Sequence, residues 1–285
     1  MQKATVKKPK IIVIVGPTAT GKSSLAVELA KEFHGEVISA DSRQVYKGLD
    51  IGSAKITKAE MEGTPHHLLD VVNPDETFTA AQFKELAEKK VEEIVARGRL
   101  PIIVGGTGFY IQALIDDVTF PKIPPHDKLR ELLEKRTAEE LYTKLATLDP
   151  DRALSIDAHN KRRLIRAIEI ATALGGVPKR ERKNSPYNSL YIGIDLTDRK
   201  LKEKIHNRLV SRVEEGLIKE VQNLHKSGLS WERLFEFGLE YRSVAAFLQR
   251  KISKEEMLSK IETESWQYVK RQRTWFKQNN DIKAR

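Results

Sequence analysis

Residues 10–23 read KIIVIVGPTATGKS, and they contain the strongest signal of the sequence. Residues 11–15 are an unbroken run of Ile and Val that stops at Gly16-Pro17, which is typical of a strand buried on both faces. The text from Gly16 to Ser23 fits the pattern G-x-x-x-x-G-K-[ST] without exception. Since an amphipathic pattern starts within it, the stretch predicts a strand, a phosphate-binding loop and a helix in succession.

The chemistry of this loop follows from its residue types. Its backbone N–H groups turn inward around phosphate oxygens, and the N-terminus of the helix adds a partial positive charge. Lys22 can reach terminal phosphates, and the Ser23 hydroxyl can hold Mg²⁺. We therefore expect a site for a pyrophosphate-like group, which need not be ATP, formed by Gly16, Pro17, Thr18, Ala19, Thr20, Gly21, Lys22 and Ser23.

Strands and helices alternate through the first third of the chain. The patterns predict a helix over residues 22–33, a strand from Val37 to Asp41 and a strand over residues 101–104. A capping box at Thr79 predicts a helix that runs to about Arg97. This order predicts an α/β fold, with a P-loop NTPase-like parallel sheet flanked by helices.

The pattern changes after this region. Residues 119–125 are rich in proline, residues 127–175 are helical without a strand candidate, and residues 179–189 look like a second boundary. A strand follows at residues 190–194, and the chain from 199 onward is helical and basic. We therefore predict a core made of residues 1–119 and 189–285, with an inserted all-helical subdomain at residues 120–188.

Composition excludes several classes of protein. The chain has 285 residues and no cysteine, which excludes disulfides, Cys-ligated zinc, iron–sulfur clusters and thiol nucleophiles. The lack of cysteine fits a reducing compartment, and no apolar run approaches the length of a membrane span. The first residues do not resemble a signal peptide. We expect a cytoplasmic protein that acts as a monomer.

The net charge of +10 is unevenly distributed. Residues 1–120 carry 15 basic and 16 acidic residues, whereas residues 121–285 carry 35 and 24, a net charge of +11. The second part therefore suggests a polyanionic partner such as a nucleic acid, with a solvated lysine-rich surface as the alternative. A small-molecule kinase has no need of this charge.

Two further segments end predicted strands of the sheet. Ligands of open parallel sheets bind outside the carboxyl ends of the strands, so Asp41 should face the same crevice as the phosphate loop. It can act there as a general base, a Mg²⁺ ligand or a helix N-cap. Gly105–Gly108 either allow close approach of a ligand or form a structural tight turn. The pair His66-His67 predicts a hydrogen-bonded turn rather than a metal site.

With these motifs together, the chain closely resembles the tRNA dimethylallyltransferase family. The matching segments are GPTATGKSSLA, ISADSRQVYKGLDIGSAK, PHHLLD, FTAAQF, PIIVGGTGFY, RRLIRAIEI and FGLEYR, in this order. The resemblance implies transfer of a dimethylallyl group from its diphosphate to N6 of the adenine 3′ of the tRNA anticodon. The alternative is a P-loop small-molecule kinase or a prenyltransferase of free adenylate.

The resemblance also implies roles for individual residues. Asp41 would be the general base, Lys22 and Mg²⁺ on Ser23 would neutralise the leaving diphosphate, and Thr107 would contact the tRNA near the reacting base. Arg208 and Lys204 would contact the diphosphate, although many relatives have arginine at the position of Lys204. The implied tRNA-contacting residues are Asp41, Ser42, Arg43, Gln44, Thr107, Arg130, Arg162, Arg163, Leu164, Ile165, Arg166, Gly238, Tyr241 and Arg242.

Overall fold

A computed structural model describes residues 8–178, 184–278 and 283–284. Its six strands form one sheet in the order β3-β2-β4-β1-β5-β6, and every neighbouring pair is parallel. The strands are β1 (Lys10–Val15), β2 (Gly35–Ser39), β3 (His66–His67), β4 (Leu100–Val104), β5 (Asn188–Gly193) and β6 (Lys283–Ala284). The predicted fold class, a P-loop-like parallel sheet flanked by helices, is confirmed.

Burial on both faces explains the continuous apolar text of the central strand β1. Ile11, Val13 and Val15 belong to one buried cluster, and Ile12 and Ile14 belong to another on the opposite face. Successive side chains of a strand point to opposite faces, so both faces need a cover of helices.

The first of two compact units, residues 1–117 and 184–285, contains the sheet and, in its described part, nine helices. Among the described residues these are α1 (Lys22–Glu32), α2 (Lys58–Met61), α3 (Ala80–Ala96), α4 (Gly108–Ile115), α9 (Asp198–Glu215), α10 (Leu217–Lys226), α11 (Trp231–Phe237), α12 (Leu239–Leu248) and α13 (Lys254–Lys277). Helix α1 buries Ala26 and Ala30 on one face of the sheet, and α3 buries Phe83 and Ala87 on the other.

The second compact unit, residues 118–183, is all-helical in its described part. Its helices are α5 (Asp127–Glu134), α6 (Ala138–Leu148), α7 (Pro150–Ser155) and α8 (Lys161–Leu174). Leu141, Leu145, Leu164 and Ile168 form the centre of its own apolar core. The predicted boundary at 179–189 lies partly outside the described residues, since 179–183 are not described.

Some local predictions differ from the structure. Asp41 lies beyond β2, which ends at Ser39. The pair His66-His67 is not a turn but the short edge strand β3, in which His67 Nε2 lies 2.7 Å from Glu36 Oε2. Two residues are too short to produce a period-2 pattern in the sequence. Phe33, which the sequence predicts as the last residue of the first helix, lies beyond the end of α1 and is 49% exposed.

A single carboxylate on α10 holds the loop that follows Asp41. Glu220 Oε2 accepts hydrogen bonds from the backbone N–H groups of Asp50 and Ile51 at 3.0 and 2.6 Å. Its Oε1 accepts from Gly52 N at 3.0 Å and from the Tyr241 hydroxyl at 2.9 Å. Buried backbone amides need hydrogen-bond acceptors, and this loop has no secondary structure to provide them. Glu220 provides the acceptors instead.

The structure has no helix suited to crossing a membrane within residues 8–178 and 184–278.

Replacement of Glu220 by alanine should lower the free energy of unfolding by about 2–4 kcal/mol, because hydrogen bonds to three backbone amides and one hydroxyl are lost together. Urea unfolding followed by circular dichroism measures this change. Gln222→Ala, at an exposed position of the same helix, should change the free energy by less than about 0.5 kcal/mol. Equal effects of the two substitutions would show that the carboxylate does not hold the loop.

Candidate active site

The phosphate loop begins where β1 meets its neighbour β5. Gly16 has φ +153°, and a Cβ built there would lie 2.2 Å from the carbonyl oxygen of Ile194. Only glycine fits this close approach of backbone to backbone. At the other end of the loop, Gly21 (φ +90°) precedes α1 without any side-chain cap. The first amides of α1 are therefore available to an anion.

Lys22, the first residue of α1, folds back over the loop. Its Nζ donates a hydrogen bond to the carbonyl oxygen of Pro17 at 2.6 Å. Burial and the positive charge of Arg208 together lower the pKa of Lys22 to about 8, while the charge of Asp41 opposes the shift. An ammonium group that is poorly hydrated and lies beside another cation gains strongly from the arrival of an anion.

Arg208 brings a second cation to the loop from α9. Burial and the charge of Arg212 lower the pKa of Arg208 to about 10, while Glu240 and Asp41 raise it. Arg212 has its own partner, because its guanidinium lies 2.8 Å from Glu240. No carboxylate pairs with Arg208 in the described part of the chain, so its charge is available to a ligand.

Lys204 and Ser23 are both exposed. Lys204 lies one turn before Arg208 on α9, and Ser23 lies in the first turn of α1. No hydrogen bond of the Ser23 hydroxyl to another described residue uses up its oxygen, which suits a metal ligand. The described residues contain no cluster of three or more His, Cys, Asp or Glu side chains that could hold a metal ion.

Asp41 uses one of its two carboxylate oxygens inside the protein. Its Oδ1 accepts from the backbone N–H groups of Arg43 at 2.8 Å and Gln44 at 3.3 Å. These bonds close a turn, so Asp41 does not cap a helix. Asp41 acts electrostatically on both Lys22 and Arg208, which places its charge beside the phosphate loop. A carboxylate with one oxygen fixed and the other open suits a proton acceptor.

The turn at Gly105–Gly108 packs against its neighbours, which supports the structural interpretation of its glycines. A Cβ on Gly105 would lie 2.2 Å from the Ala40 carbonyl oxygen, and one on Gly108 would lie 2.2 Å from the ring of Trp275. Thr107 joins the turn to the Asp41 segment, because its Oγ1 accepts from Ser42 N at 3.0 Å.

Arg43 and Gln44, two of the implied tRNA contacts, are held by hydrogen bonds within the protein. Arg43 Nε donates to the carbonyl oxygen of Phe237 at 2.7 Å. Gln44 Nε2 donates to the Ala54 carbonyl at 3.0 Å, and its Oε1 accepts from Ser39 Oγ at 3.0 Å. Both side chains fix the loop after Asp41, and Ser42 lies between them and Thr107.

The predicted contact segment of α8 contains residues of different kinds. Arg162 and Arg163 are exposed, whereas Leu164 and Ile165 are buried in the helical core and cannot present their side chains to RNA. The other two predicted tRNA-contacting arginines of the second unit, Arg130 and Arg166, share one buried carboxylate. Arg130 binds both oxygens of Glu169 at 2.7 and 2.9 Å, and Arg166 lies 3.1 Å from it.

The segment Gly238–Arg242 also contains both exposed and buried side chains. Gly238 (φ +71°) connects α11 to α12, and Arg242 is exposed. Tyr241 is 1% exposed and donates its hydroxyl to Glu220, so its side chain belongs to the core and is not a contact for tRNA. Its ring fills the core, and its hydroxyl helps to hold the Glu220 carboxylate.

Sequence reasoning missed a pair of polar residues on α13. The Tyr268 hydroxyl donates to the Gly106 carbonyl at 3.2 Å, and Gln272 reaches both Gly106 and the phosphate loop. Ile261, Val269 and Phe276 define the buried face of this helix. Gln272 is a polar residue at a position of the helical repeat where apolar residues are expected. This departure from the pattern could have indicated the contact from the sequence.

Comparison with known proteins bears on the same residues. A family model described as IPP transferase matches residues 44–279. The chain belongs to this family. The tRNA dimethylallyltransferase of Bacillus pumilus is 41% identical over 283 residues, which cover 96% of this chain and 89% of that protein. The enzyme of the same name from Anoxybacillus flavithermus is 41% identical over 272 residues, covering 94% and 87%.

Two solved structures extend the comparison. The full-length tRNA isopentenylpyrophosphate transferase from Bacillus halodurans has a TM-score of 0.74 at 39% identity, over 98% of this chain and 90% of that one. A eukaryotic dimethylallyltransferase acting on tRNA has a TM-score of 0.83 at 29% identity, over 97% and 73%. The resemblance and the enzyme class inferred from the motifs, a prenyltransferase, are confirmed.

The pKa of Lys22 predicts a pH dependence for this IPP transferase. An anion binds the charged form, so inorganic diphosphate should bind about tenfold more weakly at about pH 9 than at about pH 7, as Lys22 loses its proton. Isothermal titration calorimetry at the two pH values measures this ratio. Lys22→Met removes the titrating group and serves as the control for ionisation of diphosphate itself. The same ratio in both proteins would exclude Lys22 as the titrating group.

Proposed function

We propose that this chain transfers a dimethylallyl group from dimethylallyl diphosphate to N6 of the adenine 3′ of the anticodon in tRNA. One observation carries the proposal. Two cations without carboxylate partners, Lys22 and Arg208, lie within electrostatic reach of Asp41, beside a phosphate loop. A site that neutralises a leaving diphosphate and accepts a proton nearby fits this transfer.

In the proposed reaction the bond between the allylic carbon and the diphosphate oxygen breaks, and a bond from that carbon to N6 forms. The leaving diphosphate takes the electron pair, and Lys22 and Arg208 stabilise its growing charge. N6 loses a proton as the new bond forms, and the open oxygen of Asp41 accepts it. The amides of the phosphate loop hold the diphosphate throughout.

Mg²⁺ is the proposed metal cofactor. The Ser23 hydroxyl, together with oxygens of the diphosphate, would hold it, and when bound it would add positive charge to the leaving group. Oxygen ligands of this kind suit Mg²⁺. We propose further that the enzyme acts as a monomer in the cytoplasm; the absence of cysteine fits a reducing compartment.

The adenine must leave its stack in the anticodon loop to reach Asp41, at a cost of a few kcal/mol. Ser42 and Thr107 lie next to Asp41 and are the proposed contacts of the flipped base. The exposed arginines Arg162, Arg163 and Arg242 are the proposed contacts for the tRNA backbone. The net charge of +11 in residues 121–285 supports a polyanionic acceptor over a free nucleotide.

A transfer assay without ATP tests the proposed function. The protein is mixed with Mg²⁺, labelled dimethylallyl diphosphate and unmodified tRNA, and the digested RNA is analysed by mass for N6-dimethylallyladenosine. Product without ATP supports the proposal and makes the phosphate loop a diphosphate site. Modification of free AMP instead of tRNA would favour the small-molecule kinase or adenylate prenyltransferase.

Asp41→Asn should reduce kcat by about 10²–10⁴-fold, because the amide cannot accept the proton. The amide oxygen still accepts hydrogen bonds from Arg43 N and Gln44 N, so the turn should survive. Filter binding should find tRNA affinity within about twofold of the parent protein. A variant with the parent kcat would exclude Asp41 as the base.

Arg163→Ala should weaken tRNA binding and reduce the slope of log K against log salt by roughly one unit, because one phosphate contact is lost. Arg136→Ala removes the same charge from the second unit. Since Arg136 is already paired with Glu140 at 3.1 Å, that substitution should leave the slope unchanged. Equal slopes for both variants would remove Arg163 from the RNA interface.

A further inference from the structure

Gln272 uses both ends of its side-chain amide to connect two loops. Its Oε1 accepts a hydrogen bond from Thr18 N in the phosphate loop at 2.9 Å. Its Nε2 donates to the carbonyl oxygen of Gly106 at 3.0 Å. The residue is only 5% exposed, so water does not compete strongly for these bonds. In the first unit a single buried amide therefore bridges the phosphate loop and the Gly105–Gly108 turn.

The bridge continues to the carboxylate of Asp41. Thr107 follows Gly106 directly, and its Oγ1 accepts from Ser42 N at 3.0 Å. Ser42 in turn follows Asp41 in the chain. A connected path of hydrogen bonds and covalent bonds thus runs from the loop that would hold the donor to the group that would deprotonate the acceptor.

The position of Gln272 along the path is constrained on several sides. A Cβ on residue 106 would lie 2.4 Å from Nε2 of Gln272, so only glycine at this position leaves space for the amide. Tyr268, one helical turn earlier on α13, donates to the same Gly106 carbonyl at 3.2 Å. These contacts hold the amide in one place, as a spacer between two loops requires.

We propose that Gln272 is a positioning residue that sets the distance between the donor and acceptor sites. It touches neither the allylic carbon nor N6 and acts through Thr18 and Gly106. The inference rests on the proposed function, because the two sites matter only if a group moves between them. Misplacement of reacting groups by about 1 Å can cost about 100-fold in rate.

Steady-state transfer kinetics of Gln272→Met test the proposal. Methionine preserves the length and volume of the side chain but makes neither hydrogen bond. We expect kcat to fall at least about tenfold, while the KM for dimethylallyl diphosphate stays within about twofold, because Lys22 and Arg208 remain. Gln267→Met, at an exposed position of the same helix, should keep the parent kcat and KM. Thermal unfolding of each variant checks that it is folded.

Gln272→Glu adds a readout that a purely structural role would not move. A protonated carboxyl group donates to Gly106 and accepts from Thr18, whereas the ionised form repels the Gly106 carbonyl oxygen. Burial raises the pKa of such a carboxyl group. The ratio of kcat for Gln272→Glu to kcat for Gln272→Met should therefore rise several-fold between about pH 8 and about pH 6. Taking the ratio cancels the titration of Lys22, which both variants share.

Each result decides the question. A slow Gln272→Met variant, with a rising Glu-to-Met ratio at low pH, supports the positioning role. Parent rates for Gln272→Met, or a flat ratio, overturn it while leaving the proposed function intact. If the parent protein makes no N6-dimethylallyladenosine, the proposed function fails first, and the inference that rests on it fails with it.

Discussion

Backbone packs directly on backbone at the carboxyl edge of the sheet, and the candidate site depends on this contact. Gly16 abuts the carbonyl of Ile194, and Gly105 abuts that of Ala40, each where a Cβ would lie 2.2 Å from oxygen. The first contact joins the ends of β1 and β5, and the second joins the ends of β4 and β2. Since β4 also pairs with β1, the phosphate loop, Asp41 and Thr107 share one edge. A parallel sheet places these ends side by side, and the glycines allow the loops beyond them to approach.

The charges at this edge are arranged for an anion. Burial lowers the pKa of both Lys22 and Arg208, so a ligand with negative charge stabilises the charged form of each. By contrast, Arg212 and Arg43 are satisfied inside the protein, the first by Glu240 and the second by the Phe237 carbonyl. Cations without a carboxylate partner in the described residues are candidates for binding a ligand. Cations that are paired within the protein stabilise the fold.

The same distinction applies to the motifs on which the resemblance depends. Several side chains stabilise the loop after Asp41 instead of facing a ligand. Gln44, within the loop, binds the Ala54 carbonyl, and Glu220 on α10 accepts from three successive amides of the loop. Tyr241 on α12 is buried in the core. In the second unit Glu169 binds Arg130 and Arg166, whereas Arg162 and Arg163 are exposed. A motif therefore marks a segment as important without stating which of its side chains reach the substrate.

Local patterns in the sequence were enough to predict the parallel sheet, a phosphate-binding loop and a helical insertion, because apolar periodicity, capping boxes and glycine patterns act over a few residues. The sequence also placed Asp41 at a strand end, although the strand stops two residues earlier. Only the folded arrangement shows which cations have no carboxylate partner among the described residues, which glycines are packing contacts, and that Gln272 connects Thr18 to Gly106. These features join residues up to 254 positions apart, and local patterns carry no information about such distant pairs.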